Sequence, residues 1–144
     1  MKILMVCLGN ICRSPLAEGI MRHLTAEQNL NWEIASAGTG NWHIGKAPDY
    51  RSVKAAKSFG YDISTQRAQQ FNHSMFARYD LILVMDRNNL KDVQNLAQSE
   101  EERKKVKLFL DNDEVTDPYW DDALFDPVCL QVEKRCREII KQLS

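Results

Sequence analysis

Residues Leu81 to Met85 read Leu-Ile-Leu-Val-Met, an apolar run with no polar residue to turn toward water. A segment this short and uniformly apolar suits a strand buried on both faces, as in a parallel sheet with helices on either side. Ile3 to Val6 is a second such run. Leu16, Ile20, Met21 and Leu24 then fall on one face of a helix expected from about Ser14 to Asn29. A strand is expected around Trp32 to Ser36, a helix from Pro48 to near Phe59 with Gly60 as its stop, and a short helix within Asn72 to Arg78. Asp86 to about Ala97 reads as helix, Ser99 to Lys105 as a charged turn or short helix, and Val106 to Leu110 as a fourth strand. Phe125, Val128, Cys129, Val132, Cys136, Ile139, Ile140 and Leu143 mark a long amphipathic terminal helix. Strands alternate with helices throughout. The expected class is therefore α/β, with a mostly parallel four-stranded sheet and helices on both faces. No repeat, low-complexity tract or linker divides the chain, so residues 1–144 are expected to form a single domain.

In such sheets ligands bind beyond the carboxyl ends of strands. The first strand ends at Cys7, and the residues that follow read Leu8-Gly9-Asn10-Ile11-Cys12-Arg13-Ser14-Pro15. Ser14 suits a helix N-cap and Pro15 a first helical position, so the segment reads as strand, tight loop, helix start. Backbone N–H groups in such a loop, together with the helix dipole, attract an anion. A thiol at Cys7 would be favoured there as the reactive thiolate. Arg13, with five residues between it and Cys7, offers a planar fork of donors suited to phosphate oxygens. A lone cysteine at a strand end is more often a small core residue. Here the strand before it, Gly9-Asn10 within the loop and Ser14-Pro15 after it favour a nucleophile that attacks phosphorus. The loop is not of the ATP-binding type, because no Gly-Lys-Ser/Thr is present.

Asp117 to Trp120, in Thr116-Asp117-Pro118-Tyr119-Trp120, lies between the last strand and the last helix. Seven acidic residues and no Lys or Arg stand between Leu108 and Val132. Crowded like charges favour a protonated carboxyl, which could serve as an acid for a leaving group. Taken alone, the same segment also reads as a solvated acidic loop capping the last helix.

The run Cys7 to Pro15 resembles the signature loop of the low-molecular-weight protein tyrosine phosphatases. That resemblance implies the strand order 2-1-3-4, Cys7 as nucleophile, Arg13 as the phosphate-binding arginine and Asp117 as the general acid. It implies that the loop residues Leu8, Gly9, Asn10, Ile11, Cys12 and Ser14 bind the phosphoryl group, with Asn10 and Ser14 also holding the loop and supporting the thiolate. Ser36 to Gly45 is similar to the family's variable loop. Trp42 falls where an aromatic forms one wall of the cleft, and Tyr119 and Trp120 would form the other; flat rings suit a phosphorylated phenol. Met85-Asp86-Arg87-Asn88-Asn89-Leu90 resembles a family segment in which Asp86 caps the next helix and supports the site. Relatives acting on phosphoarginine tend to carry Thr where this chain has Ile11, which points to phosphotyrosine. The sequence departs from the family pattern at Gln66, where many members carry His, and at Trp120, where Tyr is commoner.

The implied substrate is a phosphotyrosine-bearing protein, with inorganic phosphate and similar oxyanions as inhibitors. A bacterial-type member would point to a tyrosine kinase as partner. A net charge of −1 suggests neither a nucleic-acid nor a membrane partner, and no apolar run approaches a membrane span. The N-terminus is too short for a signal peptide before Cys7, so the cytoplasm is the expected compartment. His23, His43 and His73 are scattered and are read as surface or core, and neither metal nor cofactor is expected. Cys129 and Cys136 lie on the apolar stripe of the last helix. Cys12 lies inside the signature loop, where oxidation of Cys7 could end in a Cys7–Cys12 disulfide. Two other functions fit a thiol in an anion loop. Arsenate reductase chemistry needs further cysteines in a mobile segment, and Gln66 to Asp113 contains none. A phosphate-binding module without catalysis would not need Cys7, Arg13 and Asp117 together.

Overall fold

The computed structural model describes residues 1–144. Four parallel strands, β1 (Lys2–Cys7), β2 (Glu33–Gly38), β3 (Leu81–Val84) and β4 (Val106–Leu108), form one sheet in the order β2-β1-β3-β4. Ile3 pairs with Ile34 on one side and Leu81 on the other, so β1 is central. Alternation within the strands divides the core. Ile3, Met5, Cys7 and Leu83 face a cluster with α1 (Arg13–Glu27) and the terminal helix, which is α6 of the chain (Phe125–Leu143). Leu4, Val6, Ile82 and Val84 face a second cluster that includes Phe76 and Val93. Those two residues come from α3 (Met75–Arg78) and α4 (Arg87–Leu96). The sheet is therefore buried on both faces, as its apolar strands require.

The remaining helices are α2 (Tyr50–Ser58) and α5 (Glu100–Lys104). Element boundaries differ from the sequence expectation in four instructive places. The second strand runs on to Gly38, where a Cβ would stand 2.8 Å from the Leu8 carbonyl oxygen; glycine alone lets the strand close against the Cys7 loop. The second helix starts at Tyr50 rather than Pro48, because Asp49 caps it by accepting the Arg51 N–H at 2.8 Å. The fourth strand stops at Leu108, and the chain turns through Asn112, whose φ is +57°. The last difference concerns Ser14. The first helix begins at Arg13 with Cys12 at its N-cap and no side-chain cap, so Ser14 and Pro15 are its second and third residues. Ser14 is thus not the cap, because its hydroxyl is turned to Cys7 and Asn10 instead.

Candidate active site

Cys7 ends the central strand, beside the strand-order switch between β1 and β3, and only 2% of its surface is exposed. Its Sγ accepts the Asn10 N–H at 3.3 Å and lies 3.0 Å from Ser14 Oγ. Ser14 Oγ accepts from Asn10 Nδ2 at 2.8 Å, which leaves its own hydrogen for the sulfur. Asn10 makes this possible by its backbone: its φ of +56° is one that Asn tolerates better than most residues, and it turns the loop back over Cys7. Asn10 Nδ2 also donates to Ser36 Oγ at 2.9 Å, and its Oδ1 accepts the Gln69 N–H at 3.0 Å. Ser36 Oγ in turn donates to Glu18 Oε1 at 2.7 Å. Burial pushes the Glu18 carboxyl above the ordinary carboxylate range, while Ser36 and Arg22 act against that shift. Every member of this buried polar chain has a partner, which makes the loop rigid.

Arg13 is 3% exposed, and its guanidinium is aimed by two acceptors. Nη1 donates to Asp86 Oδ2 at 2.8 Å and to the Val115 carbonyl at 3.0 Å. Asp86 uses its other oxygen to cap α4 through the Asn89 N–H, so one carboxylate fixes both a helix and the arginine. Nη2 faces Asp117 Oδ2 at 3.8 Å. Burial acts to lower the Arg13 pKa, but the facing Cys7, Asp86 and Asp117 groups outweigh it and hold the guanidinium charged.

Asp117 opens a segment of two consecutive 3-10 turns, Pro118–Trp120 and Asp122–Leu124. Its Oδ1 accepts the Tyr119 N–H at 3.1 Å, leaving Oδ2 toward the cavity. The other acids of this segment are engaged elsewhere: Asp121 accepts the Ala123 N–H and Asp122 pairs with Arg51. The charged group facing Asp117 is Arg13, not the acidic crowd that the sequence suggested.

These parts enclose a cavity of about 240 Å³. Cys7, Leu8, Gly9, Ile11, Cys12 and Arg13 of the loop line it, together with Asp117. Trp42 forms part of one wall, while Tyr119 and Trp120, packed edge to face 4.9 Å apart, form another. Asn10 and Ser14 do not line the cavity; they sit behind the loop and hold it. His43, read from the sequence as surface or core, lines the cavity instead. It lies over Gly9, where a Cβ would meet its ring at 3.0 Å. No periodic or spacing signal marks it. Gln66 reaches the Pro15 carbonyl through its side-chain amide, and so touches α1 rather than the cavity. No three His, Cys, Asp or Glu side chains converge as metal ligands.

The two loop cysteines differ in chemistry. Burial, with Asp49, Cys7 and Asp117 nearby, pushes the Cys12 thiol up to about 12. Cys12 therefore stays a neutral thiol beside Cys7, and all four cysteines are free. A buried thiol held by two donors, a fixed guanidinium and a carboxyl across an aromatic-walled cavity can bind a phosphoryl group, accept it on sulfur and protonate what leaves.

Comparison with known proteins agrees with this arrangement. The family model for low molecular weight phosphotyrosine protein phosphatase matches residues 2–144. The pig protein of that name is 36% identical over 98% of this chain and 94% of its own length. A protein tyrosine phosphatase of Entamoeba histolytica, solved with Hepes in its active site, superposes with a TM-score of 0.93. It is 33% identical, covering 99% of this chain and 96% of that one. Vibrio vulnificus Wzb, solved with benzylphosphonate, gives a TM-score of 0.89 at 31% identity, over 99% of this chain and 98% of that one. The chain belongs to the low molecular weight phosphotyrosine protein phosphatases, which are hydrolases.

Proposed function

We propose that this protein hydrolyses phosphotyrosine in protein substrates through a cysteinyl-phosphate intermediate. The observation that carries the reading is Cys7 Sγ, held by the Asn10 N–H and Ser14 Oγ in a loop whose Arg13 faces Asp117 at 3.8 Å. In the first step the Cys7 thiolate attacks phosphorus. Loop N–H groups and the free donors of Arg13 take the phosphoryl oxygens, where charge is spread in the transition state. The phosphorus–oxygen bond breaks as Asp117 Oδ2 gives its proton to the phenolate. In the second step the same carboxylate takes a proton from water, the water oxygen attacks phosphorus, and Cys7 leaves as thiolate with inorganic phosphate as product. Trp42, Tyr119 and Trp120 provide ring faces for the phenol, and the benzylphosphonate complex of the Vibrio relative supports an aryl oxyanion in such a cleft.

Ile11 lines the cavity where relatives acting on phosphoarginine tend to carry Thr, and so favours phosphotyrosine. A tyrosine kinase is the partner we expect such an enzyme to oppose. No helix is long and apolar enough to cross a membrane. Four free cysteines, one of them catalytic, suit the reducing cytoplasm.

Aryl phosphate turnover by the native protein and by Cys7→Ser tests the reading. Turnover is expected to vanish in Cys7→Ser while phosphate and vanadate still bind. Full-rate hydrolysis by Cys7→Ser would remove Cys7 from the chemistry, and an inactive native protein that binds phosphate would make this a binding module.

A further inference from the structure

The segment from Pro118 to Leu124 carries one wall of the cavity, yet it is lightly tied down. Its backbone hydrogen bonds are internal, Asp121 N–H to the Pro118 carbonyl and Leu124 N–H to the Asp121 carbonyl. The only side-chain hydrogen bond from these residues to another element joins Asp122 Oδ1 to Arg51 Nη1, at 2.6 Å. The guanidinium of Arg51 also lies 5.3 Å from the Tyr119 ring centre and 4.5 Å from that of Phe125, the first residue of α6. One side chain thus touches both 3-10 turns and the helix that follows them.

Arg51 is itself fixed from the side of the nucleophile. Asp49 grips it with both oxygens, Nε to Oδ1 at 3.0 Å and Nη2 to Oδ2 at 3.0 Å. The Asp49 N–H donates to the Ile11 carbonyl at 2.8 Å, and Ser52 Oγ to the Cys12 carbonyl at 3.3 Å. The start of α2 is therefore seated on the Cys7 loop. A continuous path runs from the Ile11 carbonyl through Asp49 and Arg51 to Asp122 and Tyr119, and Tyr119 holds the Asp117 carboxylate through its N–H.

We propose that Arg51 is a positioning residue that, through Asp122 and Tyr119, sets Asp117 relative to Cys7. The proposal rests on Asp117 acting as general acid. Asp122 is largely exposed, and such pairs add little stability. The effect lies in geometry, because misplacing a reacting group by about 1 Å can lower a rate by about 10²-fold. Lysine could not replace Arg51. An ammonium lacks the planar fork whose Nε and Nη2 meet Asp49 while Nη1 meets Asp122, and it has no face to lay on Tyr119 and Phe125.

The test compares kcat/KM for phenyl phosphate, whose leaving group needs a proton, with that for para-nitrophenyl phosphate, whose leaving group needs it far less. Arg51→Met, Arg51→Lys and Asp122→Asn are each measured in the native and the Asp117→Asn backgrounds, with inhibition by inorganic phosphate as a check on the Cys7 loop. Arg51→Met is expected to lower the phenyl phosphate value by about tenfold, a share of the roughly 10²–10⁴ that a positioned acid supplies. The para-nitrophenyl phosphate value should fall far less, and phosphate inhibition should hold. Arg51→Lys should not rescue, and Asp122→Asn, which leaves the Asp49 grip intact, should repeat the pattern at smaller size. In the Asp117→Asn background all three effects should collapse. Equal losses on both substrates, losses that persist without Asp117, or weakened phosphate inhibition would each overturn the proposal. A large Asp117→Asn loss with Arg51→Met silent overturns the positioning role alone. An Asp117→Asn variant with no loss removes the general-acid reading, and the positioning role with it.

Discussion

The two halves of the cleft are built in opposite ways. On the Cys7 side the functional groups are buried, and a chain of side-chain hydrogen bonds runs from Glu18 through Ser36, Asn10 and Ser14 to the sulfur. Arg13, at 3% exposure, is locked by Asp86 and Val115. On the Asp117 side two short 3-10 turns stand out in solvent, with Tyr119 37% and Trp120 87% exposed. The contrast follows the chemistry. A phosphoryl group has one shape, so its site gains from donors fixed in advance. Leaving groups carried on proteins differ in their surroundings, so the half that meets them presents faces and edges rather than a closed mould.

Substitutions should separate the halves by size and by kinetic constant. The largest effect in this series is expected from Arg13→Lys, which keeps the charge but loses the fork shared among Asp86, Val115 and the phosphoryl oxygens. Its kcat/KM should fall by about 10²–10³, as for loss of a preorganised donor. Steady-state kinetics with para-nitrophenyl phosphate reads it, and a loss of only a few fold would mean that the buried half is less exacting than its geometry implies. Next comes Ser14→Ala, which removes the hydroxyl facing Cys7 and leaves Asn10 Nδ2 one acceptor short. A fall of about tenfold in kcat, with KM little changed, is expected from the loss of a buried hydrogen bond to a charged group.

Smaller still, Trp120→Ala should raise KM for an aryl phosphate by only a few fold with kcat unchanged, because so exposed a ring contributes little stacking, on the order of 1 kcal/mol. A kcat loss as large as that of Ser14→Ala would contradict the division of the cleft. The thiols give a selectivity test that is read by peptide mapping rather than by rate. Because burial and its neighbours hold Cys12 as a neutral thiol up to about 12, iodoacetamide near neutral pH should label Cys7 and spare Cys12, as peptide mapping would show. After peroxide, activity should return with dithiothreitol in the native protein and fail to return in Cys12→Ser, the result expected if a Cys7–Cys12 disulfide shields the nucleophile.

What could be read in the sequence was whatever local pattern carries. The apolar runs at Ile3 and Leu81 announce a sheet covered on both faces, and Cys7 and Arg13 read as an anion loop once the strand before them, Gly9-Asn10 between them and Ser14-Pro15 after them are taken together. Asp117 came from its resemblance to a family loop more than from spacing. Side-chain pairing across the fold was not legible. Arg51 and Asp122 stand 71 residues apart, and Arg13 and Asp86 stand 73 apart. Nothing periodic links such pairs; they meet only in the folded chain, where α2 packs beside α6 and β3 ends beside the strand that leads into the Cys7 loop. His43 was missed for the same reason, since its place over Gly9 depends on how the loop after β2 folds back. Ser14 misled in a different way. Local preference makes serine before proline a helix cap, but the hydroxyl has stronger partners in Cys7 and Asn10, and the helix starts one residue earlier.

The central claim is that Cys7 carries the phosphoryl group between two steps. Acid quenching of the enzyme during turnover of an aryl phosphate, followed by mass analysis of its peptides, tests it directly. The Asp117→Asn variant helps, because loss of the proposed base is expected to slow breakdown of the intermediate. A phosphoryl adduct on the peptide bearing Cys7, assigned to Cys7 by fragmentation and absent from Cys7→Ser, is the expected result. Sustained turnover with no adduct, or with the adduct on Cys12 or His43, would contradict the account.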